Sequence, residues 1–192
     1  MLFRSGKYPS AKLVSGASEV QVEIRFKNSD FAVSIYLSDI DELCQTALPA
    51  DGKQLLLTEE VRLSANTPLT ELEDICSTVY AKLGQRAMVL EALRKQLRYF
   101  AGRQIRNVAS LAGNIATASP ISDTNPVLVA AGASVTMQKW TEEGTMEESE
   151  LPLSDFFVAY RTTTLPPAAV ITHINIPLPS DGVREVTKAY KQ

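Results

Sequence analysis

Between Phe100 and Pro126 the chain is crowded with small and hydroxyl-bearing residues, and strong apolar periodicity is absent. A segment with so few large side chains to pack must find partners for its backbone N–H groups elsewhere. Consecutive amides in turns form anion nests without any lysine, so a bound phosphate or ribose is one class of partner. Gly102 and Gly113 can let a ligand approach the backbone closely. Ser110, Asn114, Thr117 and Ser122 can donate to phosphate oxygens, whereas Asp123 can only accept, from a ribose hydroxyl or from a helix N-terminus. Asp123 also stands ahead of Thr124-Asn125-Pro126-Val127-Leu128 as an N-cap, and the two roles can coexist. From composition alone, a buried Gly/Ala-rich turn under a helix accounts for the segment as well as a ligand does.

Other chemistries lack residues. His173 is the one histidine and Cys44 and Cys76 are the two cysteines, so a four-thiolate iron–sulfur cluster cannot be built from this chain alone. A zinc site would need carboxylates to complete its ligands, and no metal site is expected. His173 falls in the alternating segment Val170 to Ile176, where an exposed strand face is its default, and no Ser/His/Asp set accompanies it. Cys44 and Cys76 read as buried, reduced thiols rather than as a bridge. Nineteen Lys plus Arg against twenty-two Asp plus Glu give a net charge of −3 over 192 residues, with no basic field for nucleic acid or an anionic membrane. No apolar run approaches the roughly 20 residues of a membrane span, and Met1 to Lys7 is no secretory signal, so a cytoplasmic chain is expected.

The elements that must position these residues read as strands, then helices, then strands. Ala11 to Val14 is a short strand stopped by Ser15-Gly16-Ala17-Ser18. Glu19 to Phe26 is a helix or a strand by periodicity, and Ala32 to Leu37 is a strand candidate. Gln54 to Leu57 and Val61 to Ala65 resemble a hairpin pair around Thr58-Glu59-Glu60. Thr67 with Pro68 predicts an N-cap and first turn, with Leu69, Leu72, Ile75 or Cys76, Val79 and Leu83 on one face and Gly84 closing the helix. A second helix from Ala87 places Leu90, Leu93, Leu97 and Phe100 inward and Arg94, Lys95 and Arg98 outward, ending at Gly102. Ser134 to Trp140 alternates as a strand, Glu142 to Glu150 reads as a solvated hairpin connection or surface loop, and Leu151-Pro152-Leu153 resumes beyond it. The pattern predicts an α+β, or mixed α/β, fold.

The order Gly113-Asn114-Ile115, Thr117-Ala118-Ser119-Pro120-Ile121-Ser122-Asp123, Asn125-Pro126 closely resembles the flavin-binding signature of the xanthine dehydrogenase and aldehyde oxidase family. Lys12-Leu13-Val14-Ser15-Gly16-Ala17-Ser18-Glu19-Val20 resembles that family's first diphosphate-binding loop. Asp155-Phe156-Phe157-Val158-Ala159-Tyr160-Arg161-Thr162-Thr163 resembles its Phe-Phe-x-x-Tyr-Arg block, and Ala189-Tyr190-Lys191-Gln192 its Phe-Lys-Gln segment.

The resemblance implies a two-subdomain, PCMH-type FAD-binding fold: residues 1–66 carry the first diphosphate loop and residues 67–192 the main FAD segment at 100–126. It also implies that the first strand and the C-terminal subdomain lie outside the chain. The resemblance puts Lys12, Leu13, Val14, Ser15, Gly16, Ala17, Ser18, Glu19 and Val20 around the cofactor. Phe100, Ala101 and Gly102 would stand beside it, with Ser110, Gly113, Asn114 and Thr117 on the phosphates, Asp123 near the adenosine sugar, and Ala109 and Ser122 also among the cofactor-binding residues. Ile171 and Lys191 match two further flavin-contacting positions. The family's usual residues at positions 17 and 112 are Asn and Gly, against Ala17 and Ala112 here. Ala17 forfeits a side-chain hydrogen bond to the diphosphate, although the amides of Gly16 and Ser18 can still serve.

In such enzymes electrons pass from a molybdenum centre through iron–sulfur clusters to FAD and on to NAD+, or to dioxygen in the aldehyde-oxidase-like members. The resemblance therefore implies FAD on this chain, with iron–sulfur and molybdenum centres on other segments or partner subunits. No acid–base residue is required within it. A second expectation is a truncated or degenerate flavin domain, a binding module or an inert fragment. A plain structural α+β domain leaves the Gly102 to Asn125 run unexplained.

Overall fold

A computed structural model describes residues 2–49, 52–180, 182–183 and 185–187. Helix α1 (Leu2–Lys7) is followed by strand β1 (Lys12–Val14), helix α2 (Ser18–Lys27) and strand β2 (Ser34–Tyr36). β1 and β2 pair in parallel, with Leu13 opposite Ile35. Parallel neighbours need a long crossover, and α2 supplies it. The segment that periodicity left open is thus a helix, with Val22, Ile24 and Phe26 exposed on it.

Two short helices, α3 (Asp41–Cys44) and α4 (Gly52–Leu56), lead to β3 (Glu60–Ser64). The expected hairpin of residues 54–57 with 61–65 does not form. Leu55 is helical and buried, and β3 pairs antiparallel with the distant strand β8 (Val170–Pro177). Helix α5 (Leu69–Leu83) buries the predicted stripe of Leu69, Leu72, Ile75, Cys76, Val79 and Leu83, and Gly84 closes it. Its N-cap is Pro68 and not Thr67, whose hydroxyl instead meets Thr46 Oγ1 at 2.8 Å and the Cys44 carbonyl at 3.3 Å.

A 3-10 turn (Gly84–Ala87) joins α5 to α6 (Met88–Leu97). α6 buries Leu90, Leu93 and Leu97 and stops at Leu97, short of the expected Gly102. The reason is local: the Arg106 guanidinium donates from Nη1 to the carbonyls of Leu97, Phe100 and Ala101 at 3.2, 3.1 and 3.1 Å, satisfying acceptors that a longer helix would have used. Gly102 serves as the N-cap of α7 (Arg103–Arg106).

Helices α8 (Leu111–Thr117) and α9 (Asn125–Ala130) precede β4 (Ser134–Trp140), β5 (Met146–Pro152), α10 (Leu153–Phe156) and the small pair β6 (Phe157–Ala159) and β7 (Thr162–Thr163). β3, β8, β4 and β5 form one antiparallel sheet in that order, so β3, which lies within residues 1–66, belongs to the sheet completed by residues 134–177. Much of the acidic stretch expected as a loop is β5. Lys139 pairs with Glu147 at 3.2 Å, the Gln138 amide donates to Glu148 at 2.7 Å, and the Ser134 hydroxyl donates to Glu150 across the ladder. An exposed edge strand rich in carboxylates resists pairing with another sheet.

The main core lies between this sheet and the helices. Leu63, Val135, Ile174 and Ile176 meet Leu69, Leu72, Leu90 and Leu93 there. Ile171 joins the same core although it is odd-numbered and Ile174 is even. The register shift opposite Thr136 and Met137 makes Thr172 an extra residue on β8, which reverses the facing of what precedes it. His173, beyond the bulge, is partly exposed and receives the Arg62 guanidinium on Nδ1 at 3.0 Å.

Candidate functional site

The loop between β1 and α2 faces the turn that opens α8 across a groove of about 1380 Å³. That volume exceeds the roughly 300–1,000 Å³ of ordinary small-ligand sites and leaves room for a large ligand. The two walls come into contact where Gly16 passes Val108. A Cβ on Gly16 would lie 1.7 Å from the Val108 carbonyl oxygen, so only glycine permits this approach. Ala17, at φ 57°, then turns the chain in the left-handed region and N-caps α2.

No side chain caps α2, so its first amides keep their hydrogen-bonding capacity where Gly16 to Val20 line the groove. The free N–H groups and the helix dipole together favour an anion. α8 is closed differently: the Gly113 N–H donates to Ser110 Oγ at 3.1 Å and the Ala112 N–H to the Ala65 carbonyl at 3.1 Å.

The hydroxyls expected to donate to phosphate are engaged within the protein. Thr117 donates to the Gly113 carbonyl at 2.8 Å, and Ser122 donates to Asn114 Oδ1 at 2.6 Å. Thr124 donates to the same Asn114 oxygen at 2.7 Å. With Oδ1 accepting two hydroxyls, the carboxamide NH2 is the part of Asn114 with donors to spare. Asp123 lines the groove without being the N-cap of α9. Thr124 holds that position, and Ser122 Oγ accepts from the Asn125 N–H at 3.2 Å.

Charge around the groove is internally balanced. Lys12 pairs with Glu23 at 2.6 Å, and Glu19 pairs with Arg161 at 2.7 Å and Lys27 at 4.0 Å. The Glu19 carboxylate holds the Arg161 guanidinium even more firmly protonated than usual. This contact joins two segments singled out separately in the sequence, the first loop and the Tyr-Arg block. The groove's lining also includes the apolar side chains of Phe100, Ile121, Pro126 and Val127.

Lys12, Leu13, Ser15 to Val20, Phe100, Ala101, Ala109, Ser110, Gly113, Asn114, Thr117, Ser122 and Asp123 all line this one groove. Val14 is buried beside it, and Gly102 lies behind Ala101 as the cap of α7. Ile171 sits in the core on β8, away from the lining, and Lys191 lies outside the described residues. Glu23, Lys27, Tyr99 and Arg161 also line the groove and were not among the expected site residues. Glu23 and Lys27 are signalled by i, i+4 spacing from Glu19 on a helix, which an undecided helix-or-strand reading could not exploit.

The donor set fits a diphosphate: uncapped helix amides and one carboxamide, with the neighbouring cations already paired. A βαβ loop set against a second polar turn across this groove is an α+β arrangement with room for a phosphate-bearing nucleotide. Over residues 2–179 the chain matches, and belongs to, the family described as the FAD binding domain in molybdopterin dehydrogenase. It is 44% identical over 186 residues to the xanthine dehydrogenase of Emericella nidulans, covering 96% of this chain and 13% of that protein. It is 36% identical over 193 residues to the xanthine dehydrogenase/oxidase of Rattus norvegicus, covering 100% and 13%. The chain thus spans about an eighth of the length of these relatives.

Its fold is similar to that of quinoline 2-oxidoreductase from Pseudomonas putida, with a TM-score of 0.75 and 17% identity over 93% of this chain and 55% of the other. A carbon monoxide dehydrogenase from Hydrogenophaga pseudoflava gives 0.74 and 20%, over 94% and 57%. The mixed helix and sheet architecture expected from the sequence is the architecture of these solved structures. Among the described residues, no helix is long and apolar enough to cross a membrane, and no group of three or more His, Cys, Asp and Glu could hold a metal ion.

Proposed function

We propose that this chain holds FAD in the groove, with the diphosphate at the N-terminus of α2 and at Asn114, and acts within a larger cytoplasmic xanthine dehydrogenase-like oxidoreductase. The observation that carries the reading is that the uncapped start of α2 and the Asn114 carboxamide, whose Oδ1 is already engaged, line the same groove of about 1380 Å³. Bound FAD would supply two-electron redox chemistry, accepting electrons from iron–sulfur and molybdenum centres elsewhere in the enzyme and passing them to NAD+ or dioxygen.

The residues of this chain bind, orient and exclude water. The amides of Gly16 to Val20 would hold the phosphates by charge-assisted hydrogen bonds. Phe100 and Ala101 would wall one side, and Asp123 would accept from the adenosine sugar. Val14, Gly102, Ile171 and Lys191 belong to the proposal only as supports or as contacts completed elsewhere. Residues 1–66 and 67–192 are proposed as two subdomains meeting at this groove, with β3 of the first segment completing the sheet of the second. No acid–base residue is called for, in keeping with a chain whose single histidine is engaged by Arg62 on the sheet.

Purifying the chain, adding FAD and desalting tests the reading through the visible spectrum. Retained yellow colour at one flavin per chain is expected. A colourless protein would remove the claim and leave the inert-fragment reading. If flavin is retained, reduction of the bound FAD by NADH tests the acceptor side.

A further inference from the structure

Asn66 lies outside the groove and is 7% exposed, yet it sits where three segments of the chain meet. Its own N–H donates to the Leu43 carbonyl at 2.6 Å and its Nδ2 to Cys44 Sγ at 3.7 Å. The preceding residue is held from both sides: the Ala65 N–H donates to the Thr172 carbonyl at 2.9 Å, and the Ala65 carbonyl accepts from Ala112 at 3.1 Å. Asn66 Oδ1 faces the first loop and accepts from Ser15 Oγ.

The protons can be followed from there. Each serine hydroxyl has one to give, and Oδ1 has none. Ser15 Oγ is the donor toward Asn66 Oδ1 and also, at 3.0 Å, toward Ser110 Oγ, so its one proton lies between two acceptors. Ser110 Oγ in turn accepts the Gly113 N–H at 3.1 Å. This hydroxyl relay links Asn66 through Ser15 to Ser110, which accepts from both Ser15 and the Gly113 N–H, and ties the start of α8 to the loop before α2. It reaches that loop next to Gly16, whose backbone is pressed against Val108.

We propose that Asn66 is a positioning residue for the cofactor, acting through Ser15 to fix the loop whose amides receive the diphosphate. The inference rests on the reading that the groove holds FAD. Asn66 contributes no group to the ligand. It terminates the hydroxyl relay with an acceptor that cannot turn away, because neighbouring backbone bonds hold its own chain. Binding-loop amides held in place before the ligand arrives bind it more tightly than amides that must be ordered on arrival.

The test is FAD titration of the full chain, followed by flavin fluorescence, for wild type, Asn66→Ala, Ser15→Ala and the double variant. Each single change is expected to raise the dissociation constant roughly five- to tenfold, the scale of one lost hydrogen bond. The double variant is expected to raise it no further, because both changes cut the same link. Losses that multiply in the double variant, or an Asn66→Ala protein that binds like wild type, would overturn the proposal. A merely structural role for Asn66 would lower the melting temperature and leave the Ser15→Ala affinity untouched. If Asn66→Ala does not fold, Ser15→Ala alone decides, since wild-type affinity in that variant contradicts the relay. Absence of FAD binding by the wild type itself contradicts the groove reading and not the relay.

Discussion

Ala17 holds φ 57° at the head of α2, a conformation that an L-alanine adopts at a cost of roughly 1–2 kcal/mol and that Gly and Asn tolerate far better. Replacing it by Gly is expected to stabilise the chain by about 1 kcal/mol in urea unfolding, and Asn should do likewise while adding a donor beside the diphosphate. Its neighbour Gly16 behaves in the opposite sense. Gly16→Ala must displace the Val108 backbone or the loop, and is expected to destabilise by about 3 kcal/mol while weakening FAD binding. The two thiols also separate at this scale. Burial pushes the Cys76 thiol up to about 12, whereas Cys44 is half-buried and within reach of solvent. Labelling with a thiol reagent at pH 8 should modify one cysteine in the native protein and both after denaturation.

The elements that came through from the sequence are those whose local signals agree with their environment. The stripe from Leu69 to Leu83 is a helix because each of its apolar residues reaches the core and Gly84 stops it. The failures have a common cause in partners remote in sequence. Leu55 became helical because β3 found its ladder on β8, more than a hundred residues on, and not on its neighbour. Glu147, Glu148 and Glu150 look like loop residues until Lys139, Gln138 and Ser134 stand opposite them. At the site, the residues of the two walls were legible from motif order, but the spending of their hydroxyl protons on Asn114, Gly113 and Asn66 was not, since no spacing encodes it.

β8 makes a prediction of its own. Burial, and then the Arg62 charge, hold the His173 imidazole below its ordinary range around 6.5. The folded state therefore binds this proton less readily than the unfolded chain, so stability is retained above about pH 6.5 and falls as the pH drops toward the folded value. The urea midpoint should decline across that window, and His173→Gln should flatten the decline. An unchanged slope in the variant would exclude His173 as the cause.

At the scale of the whole molecule, three sheets and their helices bring the first loop, the α8 turn and the Arg161 segment to one groove, with Glu19 and Arg161 joined across 142 positions of sequence. A net charge of −3 gives no long-range attraction for an anionic cofactor, so recognition depends on oriented amides at close range. FAD should accordingly raise the melting temperature in a concentration-dependent way, by ligand linkage. The most direct test places bulk where the diphosphate is expected. Gly113 lines the groove, and a Cβ there would lie 3.1 Å from Ser110 Oγ, so a large side chain at this position must take up groove space. Titrating FAD into wild type and Gly113→Trp, each first verified as folded, should give saturable one-to-one binding in the first and none in the second. Equal binding by the two proteins would contradict the placement of FAD in this groove.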